Sequence, residues 1–229
     1  VSTPAIAPPP RSAGARFFAW LYTPAIAREG TAALLAIEHE IMASAREGLD
    51  HSVAHARLGW WQEEAVRLCA SIPQHPLAIA LRKLFLAAGL PPPDLRPLPE
   101  LAARRLARHT LGRGPVPQDD VRADAALWAE GLFRPLAALA TPLSTDPGRS
   151  LALGRALHAH ELAPSELSAT ALREALQALP APLTTALRGL VVWATLAVRR
   201  PRAGAARLDA LAENWTAWRA ARRAQRGRS

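Results

Sequence analysis

The sequence predicts an all-α fold, a single-domain bundle of about eight or nine helices. Three observations carry that expectation. Ala, Leu and Arg dominate while strand-favouring Val, Ile and Tyr are sparse, so the side chains are those that lose least freedom in a helix. Half of the 229 residues are hydrophobic, enough to build a buried core. Apolar residues also recur at helical spacing between breaks set largely by the 21 prolines.

The elements follow in order. Residues 17–22 make a short aromatic helix, and Thr23-Pro24 opens a second one whose Ala33, Leu34, Ile37 and Ile41 fall on one face, running to about residue 47 before Gly48. Asp50 or Ser52 caps a third helix, with Val53, Leu58, Trp61, Ala65 and Leu68 as its apolar stripe and Pro73 as its stop. Pro76 suits a first helical turn, and residues 77–88 follow with Leu81, Leu84 and Phe85 on one side. After a proline-rich loop, residues 99–111 form a basic helix. Asp119 or Asp120 caps the next, which carries Val121, Leu127, Trp128, Leu132 and the apolar run 136–139. Later helices are expected over 150–162, 166–179, 183–198 and 205–223.

The bundle is expected to span 16–223, between a disordered proline-rich segment, 1–15, and a basic flexible tail, 224–229. The formal charge of +9 is almost wholly arginine, Lys83 being the single lysine, and a field of that sign attracts nucleic acid, acidic membrane surfaces or diphosphates. No nucleic-acid-binding module is recognisable, so nucleic acid is not expected as the partner. A single cysteine, Cys69, excludes an internal disulfide, and its helix position reads as core. The longest apolar run, 189–198, is about half the roughly twenty residues that span a bilayer. A cytoplasmic protein with peripheral membrane contact is the expectation.

The stretch ARLGWWQEEAVRLCASIPQHPLAIAL, residues 56–81, contains Arg57, Leu58, Trp61, Glu63, Pro73, His75, Pro76 and Leu81 in an order that resembles the squalene/phytoene synthase family: an Arg-Leu pair, a Trp, an acid, Pro-x-His-Pro and an Ala-Leu helix. Upstream, FFAWLYTPAIAREGTAALLAIEHEI is similar to the family's short aromatic helix, proline-led turn and cavity-entering helix. The likeness covers residues 16–88 well and the remainder only by helix order. It implies a bundle of isoprenoid (terpenoid) synthase type around an apolar cavity, in which two aspartate-rich motifs hold Mg²⁺ against the diphosphate of a prenyl donor. Such chemistry needs carboxylates, because Mg²⁺ takes hard oxygen ligands and the leaving diphosphate must be neutralised.

Those carboxylates are missing where the resemblance places them. In LLAIEHEIMASAREG the two ends of the first aspartate pair fall on Met42 and Arg46, neither of which ligates Mg²⁺. Glu38 and Glu40 are two residues apart, about 200° around a helix, and cannot face one ion together. The counterpart of the second motif is LALGRALHAHELAPSEL, where Gly154 fits the family's small residue and the aspartates are absent. The branch of the family typified by a complex I assembly factor lacks the aspartates in the same way.

Other groupings are weighed against ordinary roles. His158 with Glu161, and His51 with His55, have metal-compatible spacing but read as polar helix surface. Asp120 and Asp124 have the spacing of an aspartate pair, yet they precede an apolar helix, where acids cap and complement the dipole. Trp20, Trp61, Trp128 and Trp193 fall in apolar stripes, and Trp215 and Trp218 lie three apart on the last helix. The cavity- or ligand-facing residues implied by the resemblance are Tyr22, Glu38, Met42, Arg46, Arg57, Trp61 and His158. The leading expectation is a non-catalytic protein that binds a prenyl lipid, a prenyl diphosphate or a protein partner and uses no cofactor. The alternative is a prenyltransferase condensing prenyl diphosphates, for which Mg²⁺ would be the cofactor. A basic membrane-surface or nucleic-acid-associated module explains the arginines but not the frame.

Overall fold

The computed structural model describes residues 14–46, 48–111, 114–141, 147–199 and 208–226, with the backbone alone at 110, 111 and 208–211. Residues 1–13 of the expected disordered start, the last three residues and most of the Gly-Arg-Gly at 112–114 lie outside that set, while Ala15, expected within that start, is helical. Every regular element among the described residues is helical: α1 (Ala15–Tyr22), α2 (Ala25–Ala43), α3 (His51–Cys69), α4 (Pro76–Ala87), α5 (Pro97–Leu111), α6 (Gln118–Trp128), α7 (Arg134–Ala140), α8 (Pro147–Leu162), α9 (Glu166–Gln177), α10 (Ala181–Ala186), α11 (Arg188–Arg199) and α12 (Leu208–Gln225). A π-helical turn, Ala129–Phe133, joins α6 and α7 into one rod, which leaves eleven helices where eight or nine were expected.

Local chemistry explains both the agreements and the differences. Asp50 caps α3 as expected, accepting from the amides of Ser52 at 2.9 Å and Val53 at 3.2 Å. Pro76 is the first residue of α4, and His75 is its cap, Nδ1 accepting from the Leu77 amide at 3.3 Å. The cap expected at Asp119 or Asp120 is instead Pro117, with no side-chain bond. Helix α2 stops at Ala43 rather than near 47, where the Ser44 hydroxyl donates to the Glu40 carbonyl at 3.1 Å. Proline explains the π turn. Pro135 has no N–H for the ladder, and the Arg134 amide reaches back five residues to Ala129. Helix α12 runs to Gln225, two residues past the expected end, and the expected helix 183–198 is split at Leu187 into α10 and α11.

Helix α2 packs on α4, α5 and α7; α8 lies against α6 and α9; α1 and α12 both lie on α11. One cluster of buried apolar side chains runs from α1 to α11, and a second, Phe18, Val192, Leu196, Ala217, Ala220 and Ala221, joins α1, α11 and α12. Trp128, Trp193 and Phe133 are the largest side chains that are fully buried. The helices meet closely: a Cβ on Gly154 of α8 would lie 2.6 Å from the ring of Phe133. Cys69 is exposed at the end of α3, 3.8 Å from Asp94, and not in the core as its spacing suggested.

Candidate functional site

The interior of the bundle holds a polar group built from α1, α2, α5, α6, α8 and α11. Glu38 of α2, only 3 % exposed, takes a two-pronged bond from the Arg16 guanidinium, and the Trp128 indole N–H points at its Oε1 from 3.4 Å. Burial works against the Arg16 charge, but the Glu38 carboxylate outweighs it and holds the guanidinium above its ordinary pKa. Arg16 also lies over the Trp193 ring, whose N–H donates to Glu161 at 2.8 Å. One turn beyond Glu38, Met42 meets Arg105 of α5, with Nη1 3.5 Å from the sulfur.

Arg105 reaches α8 as well. Its Nη2 stands 3.1 Å from Nε2 of His158, a residue 4 % exposed and stacked on Trp128 at 4.9 Å between ring centres. Desolvation, with the charges of Arg105, Arg16 and Arg108, pushes His158 down to about 3, so the ring is neutral and its Nε2 accepts the bond. Among the described residues no carboxylate lies within ion-pair distance of Arg105, and burial lowers its pKa. Arg105 Nε and His158 Nδ1 have no hydrogen-bond partner among the described residues.

The Asp120 and Asp124 pair corrects the helix-capping expectation. Asp124 is completely buried, accepting from Arg104 Nε at 3.0 Å and from Arg108, while Asp120 takes Arg104 Nη2 at 2.7 Å. On neighbouring helices two acids four apart thus face two arginines four apart. His158 and Glu161 do not act together, one bonding Arg105 and the other Trp193. His51 and His55 sit 3.0 Å apart on an exposed first turn.

A second feature lies on the outside of α2 and α3. Glu40, facing away from Glu38, stands 3.3 Å from Nε2 of His75, which packs at 4.9 Å on Trp61. Buried Glu64 accepts from the Gln74 and His75 amides, both at 2.8 Å, and from Arg67. Glu64 is therefore the acid that fastens the Pro-Gln-His-Pro turn, whereas Glu63, matched from sequence, is exposed and meets only Arg67. Glu40, Ser44, Arg57, Trp60, Trp61 and His75 line a depression of about 320 Å³.

Of the seven residues expected to face a cavity, Glu38, Met42 and His158 are thus brought together, bridged by Arg105 and Trp128, while Arg57 and Trp61 line the outer depression. Tyr22 packs against the second core and its carbonyl accepts from Arg188 at 2.7 Å; burial raises its phenol pKa. Arg46 is exposed on the turn after α2, so it does not share a helix face with Met42. Sequence reading missed Arg105, Arg104 and Arg108, although the four-residue spacing of Arg104 and Arg108, matching that of Asp120 and Asp124, was a usable signal.

These donors do not fit Mg²⁺. On the two helices where the resemblance places the motifs the inward groups are the Met42 thioether and the neutral His158 imidazole, joined by the Arg105 guanidinium of α5, and the nearby carboxylates Glu38 and Asp124 are taken by arginines. Among the described residues no three His, Cys, Asp or Glu are placed to hold a metal ion. No helix among them is long and apolar enough to cross a membrane. No family model, curated protein or solved structure matches the chain.

Proposed function

We propose that the chain is a non-catalytic, squalene/phytoene synthase-like α-bundle that acts by binding a protein partner. The observation that supports this most is Arg105. It spans from Met42 on α2 to His158 on α8, and the sequence resemblance puts metal-binding carboxylates on those two helices. A guanidinium there joins the helices directly and brings positive charge to a place where metal-assisted ionisation needs hard oxygen donors.

A protein partner is favoured over a prenyl chain because the space between α2, α6, α8 and α11 is filled by Trp128, Trp193, Phe133 and the Arg16–Glu38 pair. Binding then falls to the surface. The depression beside the Pro-Gln-His-Pro turn combines two indoles, a cation, an acid and a hydroxyl, with Trp60 open to solvent. Exposed Trp and Arg are the side chains on which protein interfaces most often turn.

The reading is tested by incubating the purified chain with farnesyl or geranylgeranyl diphosphate and Mg²⁺ and measuring diphosphate release. No release above the protein-free control is expected; sustained turnover would overturn it. A fluorescence titration with farnesol separates the ligand classes, since saturable binding would favour a prenyl lipid over a protein partner.

A further inference from the structure

The outer face of α12 carries a feature separate from the depression beside the Pro-Gln-His-Pro turn. At 100° per residue, Trp215, Trp218, Arg219, Arg222 and Arg226, the last in the turn that continues the helix, fall within an arc of about 100°. All five are exposed, Trp215 at 58 % and Trp218 at 40 %, and the opposite face buries Ala217, Ala220, Ala221 and Ala224. The two indoles stack at 4.9 Å, and Arg222 lies over Trp218 at 4.9 Å. Among the described residues no carboxylate pairs with Arg219, Arg222, Arg223 or Arg226, and Glu213 sits on the other flank of the helix.

Beside this face a groove of about 150 Å³ runs between α12 and α11. Arg199, Arg219 and Arg223 supply its charge, Thr195 and Thr216 its hydroxyls and Val191 part of its apolar wall; none of its lining residues is acidic. Arg199 donates to Thr216 at 3.4 Å.

We propose that this face docks the protein on an anionic lipid bilayer, the stacked indoles entering the headgroup region and the groove taking a lipid phosphate. Charge complementarity selects the occupant: a cluster of arginines that no described carboxylate pairs calls for anions, and indoles with an apolar body and polar edge prefer the membrane–water boundary. Nucleic acid fits less well, because each indole already covers the other's ring and Arg222 covers Trp218, leaving little open π-surface on which a base would stack.

The test uses the full chain and vesicles of phosphatidylcholine alone or mixed with phosphatidylserine. Co-sedimentation is expected with the mixed vesicles only, weakening as salt rises. R222Q and R226Q should each lower partitioning about fivefold. W215S/W218S should abolish the blue shift of tryptophan emission that vesicles cause in the parent, with circular dichroism and thermal midpoint unchanged. Equal binding to neutral vesicles, unchanged binding by these variants, or binding of single-stranded RNA without vesicle binding would each overturn the proposal.

Discussion

Arg105 donates to the neutral ring of His158 across 3.1 Å, a buried cation held by an uncharged acceptor rather than by a carboxylate. The pair ties α5 to α8 at a place where each group leaves one nitrogen without a partner among the described residues, Nε on Arg105 and Nδ1 on His158. Buried charges of this kind detract from stability unless they are fully bonded.

Arg105→Met should therefore be neutral or stabilising, by up to about 1 kcal/mol in urea denaturation, since a side chain of similar length fills the space without a charge to desolvate. A loss of more than about 3 kcal/mol would mean that the guanidinium is a net structural support.

Asp124→Asn should behave in the opposite way. It leaves Arg104 and Arg108 facing a neutral amide in a fully buried position, and a loss of about 3 kcal/mol is expected. Asp119→Asn, at an exposed pair with Arg122, should change stability by less than about 0.5 kcal/mol.

The His158 shift gives a pH dependence with a definite sign. Its folded pKa, about 3, lies below the ordinary 6.5, so between those values the unfolded chain binds the extra proton. Stability from this group is complete above the ordinary value and falls as pH drops toward the folded one, by up to about 1.4 kcal/mol per unit. Denaturation midpoints measured from neutral to acid pH should show this slope, and His158→Gln, which keeps an acceptor for Arg105, should flatten it.

Gly154→Ala should cost about 1–3 kcal/mol, because the added carbon would lie 2.6 Å from the Phe133 ring, itself fully buried. Phe133→Leu in the same chain should recover part of that loss.

The helices were legible where local rules decide them. Asp50, Pro76 and the opposed faces of Glu38 and Glu40 all follow from capping, ring geometry and the helical period. Interactions across the chain were not legible in the same way. Arg105 meets Met42 and His158 over 63 and 53 residues of separation, and α5 read simply as a basic helix. Asp124 looked like a dipole-complementing acid because its arginines lie on another helix. Cys69 has core spacing, yet it falls on the last residue of α3, where the chain turns away. Glu63 and Glu64 are adjacent, and only the position of the Pro-Gln-His-Pro turn selects Glu64.

The Arg105 guanidinium stands between the two helices on which the resemblance would place a metal cluster. Electron paramagnetic resonance of Mn²⁺ reports it directly, because free Mn²⁺ gives a signal that diminishes on binding. Titrating the chain with Mn²⁺ and a non-hydrolysable prenyl diphosphate analogue should leave the free signal equal to that of the analogue alone. A saturable, stoichiometric loss of signal that is absent in Glu38→Gln would contradict the account.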